Sequence, residues 1–158
     1  MRLFFVSFLW LFSSIAYASS APKENEELVF SCDLESHDRL LAYFKRIDKT
    51  LYFLVSGDER EIVYQPQEDM GLDNYQWVYI SARDPEYVPL RFKIDDRRNV
   101  YFRMTKGGVS LRIMDAERLH EDDNAITYYC IDETATAFDP DVRLQIERVE
   151  PNKFEAWD

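Results

Sequence analysis

The chain has 158 residues and carries 19 Lys and Arg against 30 Asp and Glu, which gives a formal net charge of −11. Nucleic acids and anionic lipids both need a basic surface, so this charge argues against either as a partner. It suits a cationic partner, because complementary fields speed encounter. An acidic surface that serves only solubility is the alternative.

The first 20 residues are typical of an export signal. Arg2 supplies a positive start, residues 3–12 form an apolar run too short to span a bilayer, and an Ala-Tyr-Ala triplet at 16–18 fits a cleavage site. We therefore predict a signal peptide over 1–20 and a periplasmic or secreted protein with no membrane segment after cleavage. Without Arg2 the mature chain has 18 basic and 30 acidic residues, a net charge of −12. An uncleaved anchor is the alternative.

The chain has two cysteines, Cys32 and Cys130. A cysteine pair in an exported protein usually forms a disulfide, which here would join the first predicted strand to one of the last. Closing a loop of about a hundred residues stabilises a fold by roughly 4–5 kcal/mol in the chain-entropy model. A reactive thiol has less support, since neither cysteine lies in a C-x-x-C motif or beside a basic residue.

The rest of the chain reads as short strands separated by polar turns. We predict a flexible arm over 21–27 and a single β domain over 28–158. The predicted strands are 28–34, 39–47, 50–55, 61–65, 75–81, 90–94, 100–104, 109–113, 125–131 and 142–147. Even spacing with few helix signals predicts an all-β fold, an antiparallel barrel or sandwich of about 8–10 strands with one disulfide.

The clearest pattern lies between residues 87 and 114. Three runs there alternate apolar with polar residues, and short polar breaks separate them; the first run places Leu90, Phe92 and Ile94 on one face. Period-2 alternation is what a strand needs when one face packs on a core and the other meets water. The pattern predicts an antiparallel meander of three strands.

The sequence offers little support for catalysis. His37 and His120 both fall in predicted loops, and no zinc spacing, nucleophile elbow or glycine-rich phosphate loop occurs. Acidic residues are abundant, but most lie in turns where solvent keeps them ionised, whereas a catalytic acid needs an apolar setting. We predict a protein that is not an enzyme and uses no cofactor or metal, with an acid-pair hydrolase as the weaker alternative.

Two features indicate binding instead. The alternation places a row of basic and aromatic residues on the solvent face of the meander, and Tyr and Arg are residue types that anchor interfaces. The row consists of Arg91, Lys93, Tyr101, Arg103 and Arg112. The alternative is that these cations only balance nearby acids. A second feature is aromatic density, which would also suit a glycan: Tyr75, Trp77, Tyr79, Tyr128 and Tyr129.

Several short segments resemble the periplasmic inhibitors of C-type lysozyme from Gram-negative bacteria. The segments are Phe30-Ser31-Cys32-Asp33, the stretch from Ile80-Ser81-Ala82 to Tyr87, Val100-Tyr101-Phe102 with the later Lys106-Gly107, and Cys130. The resemblance implies an exported eight-stranded barrel whose serine-to-tyrosine loop enters the lysozyme cleft. In that loop Ala82 stands where the family has a glycine. The layout also resembles uncharacterised secreted β-barrel proteins and periplasmic immunity proteins.

These observations lead to one functional hypothesis. We predict an exported, monomeric, non-enzymatic binding protein, of the inhibitor or immunity-protein kind, that masks a cationic cell-wall hydrolase or toxin. The predicted contact residues are Ser81, Arg83, Tyr87, Tyr101 and Arg103. The alternative is a module of the cell envelope that binds a glycan or small ligand.

Overall fold

The computed structural model describes residues 22–58, 60–66, 71–78, 88–105, 107–115 and 125–149. Within these ranges the chain forms ten strands and one short α-helix. The strands are β1 (Glu26–Asp33), β2 (Arg39–Lys45), β3 (Thr50–Ser56), β4 (Glu61–Tyr64), β5 (Tyr75–Val78), β6 (Val88–Lys93), β7 (Arg98–Thr105), β8 (Gly108–Asp115), β9 (Ile126–Tyr129) and β10 (Glu147–Val149). The helix is α1 (Pro140–Arg143).

The described strands form two sheets. One has the order β1-β2-β3-β4 and is antiparallel throughout; the other has the order β10-β5-β6-β7-β8-β9. In the second sheet only β10 is parallel to its neighbour. These strands do not close into a barrel, so the prediction of an all-β fold is confirmed as a sandwich. The predicted meander is confirmed as β6-β7-β8.

The core lies between the two sheets and is rich in phenylalanine. Phe102 of β7 is fully buried, and its ring centroid lies 4.9 Å from that of Phe30, 5.0 Å from that of Phe53 and 5.8 Å from that of Phe138. Phe30 and Phe53 belong to the four-stranded sheet, so these contacts join the two layers. Aromatic pairs at such distances add to the stabilisation from apolar burial.

The predicted disulfide is confirmed. Cys32 and Cys130 are bonded, both are buried, and their Cα atoms lie 5.7 Å apart. Around the bond, Leu34 forms a β-bridge with Cys130, and the N–H of Ile131 donates to the carbonyl oxygen of Asp33 at 2.8 Å. The end of β1 is thereby joined to the residues that follow β9, at one corner of the sandwich.

The free edge of β1 is covered by the segment after β9, which sequence periodicity did not predict as a strand. Ser31 and Thr136 exchange two hydrogen bonds, one of them through the Thr136 hydroxyl, and the Thr134 hydroxyl accepts from the N–H of Asp33 at 2.8 Å. The threonine hydroxyls thus replace some of the backbone partners of a regular ladder. An edge paired in this way is protected from intermolecular pairing.

The predicted last strand, at 142–147, begins too early, because β10 starts only at Glu147. Residues 140–143 form α1 instead, whose first turn is capped by the Asp139 carboxylate through bonds of 2.8 and 3.3 Å to backbone N–H groups. Val142 and Ile146 are buried, whereas Leu144 is 72% exposed. Buried residues four positions apart are typical of a helix. The sequence also has an apolar residue at every second position, which is the pattern of a strand and led to the wrong prediction.

Several strand boundaries differ from the sequence prediction by one or two residues. β1 begins at Glu26, two residues inside the predicted arm, because Glu26 and Glu27 pair with Lys45 and Phe44 of β2. β5 is described only from Tyr75 to Val78.

No helix in the described ranges is long and apolar enough to cross a membrane.

The four-stranded sheet also has an apolar outer face. Tyr43 and Tyr52 are direct cross-strand partners whose ring centroids lie 5.5 Å apart in a stacked arrangement, with Leu41 and Leu54 beside them. All four side chains are buried. Loss of solvent raises the pKa of both phenols, so they stay neutral in the physiological range.

Candidate functional site

The outer face of the six-stranded sheet carries a continuous polar row. Strand register places its members directly opposite one another on successive strands. In sheet order the row is Glu147, Gln76, Arg91, Tyr101, Arg112 and Thr127. Side chains facing each other at this spacing interact across the strands. The sequence therefore assigned Arg91, Tyr101 and Arg112 to one face correctly.

The predicted exposure of Arg91 is wrong. Its side chain is only 1% exposed, and it lies along the sheet, where Nε and Nη2 donate to the Gln76 side-chain oxygen at 3.2 and 2.8 Å. Burial lowers the pKa of the guanidinium. Alternation fixes the face on which a side chain lies but not whether that face meets water. Arg91 is thus a buried structural cation rather than a contact residue.

Tyr101 is half-buried in the same row. Burial raises the pKa of its phenol, against the opposing effect of the nearby Arg91 and Arg103 cations. The hydroxyl therefore stays protonated at neutral pH and can donate a hydrogen bond. Lys93 and Arg112 are also half-buried, so the predicted row is less accessible than alternation alone indicated.

Arg103 is exposed and belongs to the next row of the same face, opposite Ser110, which in turn lies opposite Tyr129. The N–H of Glu35 donates to the Tyr129 carbonyl oxygen at 3.2 Å. This row therefore crosses from the six-stranded sheet to the end of β1. Of the five predicted contact residues, the structure brings Tyr101 and Arg103 onto one face.

A surface cleft of about 570 Å³ opens at this end of the sandwich. It lies beside the β7–β8 turn, and one wall includes Cys130, so we call it the disulfide cleft. Its main polar and exposed apolar lining residues are Glu35, Arg103, Tyr129, Ile131, Asp132 and Glu133. All six are exposed, and Tyr129 and Ile131 expose 57% and 41% of their surface.

The floor of the disulfide cleft requires a glycine. Gly108 has φ = +128°, and a Cβ atom there would lie 3.2 Å from the Asp132 carboxylate. The Thr105 hydroxyl donates to the Gly108 carbonyl oxygen at 3.1 Å and accepts from the N–H of Gly107 at 3.1 Å. The turn is therefore held tightly against the Asp132 side chain.

The three carboxylates of the disulfide cleft come from two segments, Glu35 from the residues after β1 and Asp132 and Glu133 from those after β9. In the described part of the chain, no group of three His, Cys, Asp or Glu side chains is close enough to hold a metal ion. Among the described residues, Glu35, Asp132 and Glu133 also form no ion pair. Separated carboxylates beside exposed apolar side chains suit several basic groups of an extended ligand better than a single ion.

Two smaller clefts differ from this one in their electrostatics. One cleft of about 330 Å³ includes Arg46 and Glu27, which form an ion pair at 2.7 Å. The other, of about 380 Å³, includes Arg98 and Asp95, which form an ion pair at the same distance. Their charges are thus already partly neutralised within the protein. Within the described ranges the acidic groups of the disulfide cleft form no such ion pair, which makes this cleft the best candidate for binding.

Ser81, Arg83 and Tyr87 lie outside the described residues, so their prediction stays a prediction. Sequence reasoning missed Glu35, Ile131, Asp132 and Glu133 and noted Tyr129 only as one of several aromatics. A signal was present: each cysteine is followed by an acidic segment, Cys32-Asp-Leu-Glu and Cys130-Ile-Asp-Glu. A disulfide between these cysteines necessarily brings the two segments together.

Comparisons with known proteins add no family to this picture. No protein-family model, no curated protein and no solved structure matches the chain. What the structure defines is a class: a disulfide-bonded, all-β sandwich with an acidic cleft beside its disulfide.

Proposed function

We propose that this chain is an exported, non-enzymatic binding protein whose disulfide cleft receives a basic segment of a protein partner. The observation that carries the proposal is the combination of three exposed carboxylates with exposed Tyr129 and Ile131 in one cleft. Carboxylates attract Lys and Arg side chains, and an aromatic face holds a cation or an aliphatic stem.

The charge of the whole chain supports the same partner. A net charge of −11 attracts a cationic protein over long range and raises its rate of encounter. It also opposes self-association, which supports a monomer. A cationic cell-wall hydrolase or toxin is the partner class that we propose, and the protein would mask it as an inhibitor or immunity protein does.

Two features support export. The apolar N-terminus ends in a small-residue triplet, and the Cys32–Cys130 disulfide is buried and joins distant parts of the chain. Disulfides of this kind persist in oxidising compartments such as the periplasm.

The packing of the interior weighs against the small-ligand alternative. Phe30, Phe53 and Phe102 are each at most 1% exposed and fill the space between the sheets. A ligand would therefore have to bind on the surface. The acids of the disulfide cleft are all exposed, whereas an acid-pair hydrolase needs one carboxyl in an apolar setting.

Affinity capture with matched baits tests the proposal. Three immobilised proteins would be exposed to the same envelope extract. They are the wild-type mature protein, the double variant Asp132→Asn/Glu133→Gln and the control Asp73→Asn/Glu24→Gln. The control makes the same change in net charge at exposed positions away from the cleft. We expect a basic protein that the wild type and the control retain and the cleft variant loses. Equal retention by all three baits would reject the disulfide cleft as the binding site.

A further inference from the structure

The hydrogen-bond pattern of β9 determines which of its backbone groups face outward. The N–H of Cys130 donates to the Val109 carbonyl oxygen on β8 at 2.9 Å. In an antiparallel pair such bonded positions alternate. The backbone N–H and C=O groups of residues 126, 128 and 130 therefore point toward β8. The backbone groups of Thr127 and Tyr129 therefore point to the opposite edge.

In the part of the chain that the structure describes, only the end of this outer edge is paired. The Tyr129 carbonyl oxygen accepts from the N–H of Glu35, and the chain then turns away at His37, which has φ = +72°. The outward groups that precede this point are the N–H and C=O of Thr127 and the N–H of Tyr129. In the described ranges none of these three groups has a hydrogen-bond partner. Among the described residues, β9 thus has a short edge without backbone partners beside the covered edge of β1, and we call it the open edge of β9.

We propose that the basic segment of the partner binds in an extended conformation, as an additional strand on the open edge of β9 that leads into the disulfide cleft. This inference rests on the proposed function and specifies how the partner is recognised. Backbone pairing to a sheet edge supplies affinity, while side-chain contacts supply specificity. Tyr129 belongs to both the edge and the disulfide cleft. A strand that pairs with Thr127 would therefore continue past Tyr129 and reach Glu35 in the cleft.

The side chains along the edge fit such a strand. Ile126 is 54% exposed and Tyr129 is 57% exposed, on opposite faces of β9. An added strand would cover part of both. Exposed apolar residues on an open edge are a liability in a protein that never pairs there, and natural edges usually carry charge or proline instead.

Electrostatics favour a basic partner over a second copy of this chain. Pairing two copies through β9 would bring Glu35, Asp132 and Glu133 of both copies toward one interface. Like charges in such an interface are costly, and the net charge of −11 on each copy adds long-range repulsion. A basic strand meets the same carboxylates with the opposite sign.

A proline substitution isolates the backbone contribution. Thr127→Pro removes an N–H that points away from β8, so the internal ladder keeps its bonds, and proline is tolerated at edges in this orientation. The matched control Thr127→Ala loses the same hydroxyl but keeps the N–H. The probe is a fluorescent peptide of alternating Lys and Val, about ten residues long, matching a long strand. Circular dichroism and melting confirm that both variants are folded.

We expect the mature wild-type protein to bind the probe, Thr127→Ala to bind within about twofold, and Thr127→Pro to lose at least about tenfold in affinity. Hydrogen exchange at the Thr127 and Tyr129 amides should slow when the probe binds to wild type. Equal binding by both Thr127 variants would overturn strand pairing, and so would a wild type that does not bind the probe.

Two outcomes separate this inference from the function on which it rests. If Asp132→Asn/Glu133→Gln weakens binding while Thr127→Pro does not, the acidic cleft stands and the added strand is rejected. If Thr127→Pro weakens binding and the cleft variant does not, the strand stands and the cleft is rejected. Dimerisation of the free protein that Thr127→Pro abolishes would overturn the assignment of the edge to a basic partner.

Discussion

The backbone N–H of Glu35 donates to the carbonyl oxygen of Tyr129 at 3.2 Å and so joins the end of β1 to the end of β9. Both residues lie within three positions of a bonded cysteine, Cys32 or Cys130. The disulfide and this hydrogen bond therefore hold together the two acidic segments that line the disulfide cleft. The stability of the fold and the shape of the cleft depend on the same corner.

Removing the disulfide should destabilise the protein strongly. Its cysteines are 98 residues apart, and the chain-entropy model predicts that Cys32→Ser/Cys130→Ser lowers the free energy of unfolding by about 4–5 kcal/mol. Urea denaturation of the oxidised wild type and the double variant measures the difference. A loss below about 1 kcal/mol would show that the disulfide does not constrain the unfolded chain as described.

Phe102 should be among the most sensitive core positions. Phe102→Ala removes a fully buried ring that contacts two phenylalanines of the facing sheet and Phe138 of the segment before α1, and we expect a loss of about 3–5 kcal/mol in unfolding free energy. Ile47→Ala is the control, because Ile47 is 80% exposed and its truncation should change stability by less than about 0.5 kcal/mol. Equal effects at the two positions would contradict the packing of the core.

The helical spacing near the C-terminus can be tested by a matched pair of truncations. Val142→Ala should cost about 1–3 kcal/mol because Val142 is buried, whereas Leu144→Ala should cost less than about 0.5 kcal/mol. A strand over this segment would bury both side chains and make the two losses similar. Chemical denaturation of both variants distinguishes the two arrangements.

The β6–β7 turn should make stability depend on pH. Asp95 accepts from the N–H groups of Arg97 and Arg98 at 2.9 and 2.8 Å and pairs with the Arg98 guanidinium at 2.7 Å. The hydrogen bond from the Arg98 side chain is the main cause that lowers the pKa of the Asp95 carboxyl below its ordinary value of 3.8. Asp95→Asn should lose about 1 kcal/mol of stability at pH 7.

The sign of the pH effect follows from that lowered pKa. A carboxylate with a depressed pKa in the folded state contributes stability above its ordinary pKa of 3.8, and the contribution is lost as pH falls through the lower folded value. The difference in unfolding free energy between wild type and Asp95→Asn should therefore have its full value at pH 6 and become smaller below about pH 4. Denaturation curves across this range would contradict the account if the gap widened on acidification.

Local patterns in the sequence predicted much of the fold. Alternation placed Phe92, Val100 and Ile113 on the core face of neighbouring strands, and register confirms them as direct partners. The disulfide was predicted from the expected export signal and an even cysteine count. These predictions rest on local patterns, which a single sequence contains.

Other features depend on the tertiary structure. Apolar residues at 142, 144 and 146 fit a strand and a helical turn equally well, and the Asp139 cap decides between them. The exposure of Arg91 could not be read from alternation, because burial depends on what surrounds the face. The disulfide cleft joins residues about 100 positions apart, so only the bonded cysteines bring its acids together.

The most direct test measures the dissociation constant of the captured basic partner by titration calorimetry. The constant for the cleft variant Asp132→Asn/Glu133→Gln is compared with that for wild type. The account predicts that the cleft variant binds at least about tenfold more weakly, whereas Asp73→Asn/Glu24→Gln binds within about twofold of wild type. Equal weakening in the two double variants would show that only net charge matters and would contradict a specific site at the disulfide cleft.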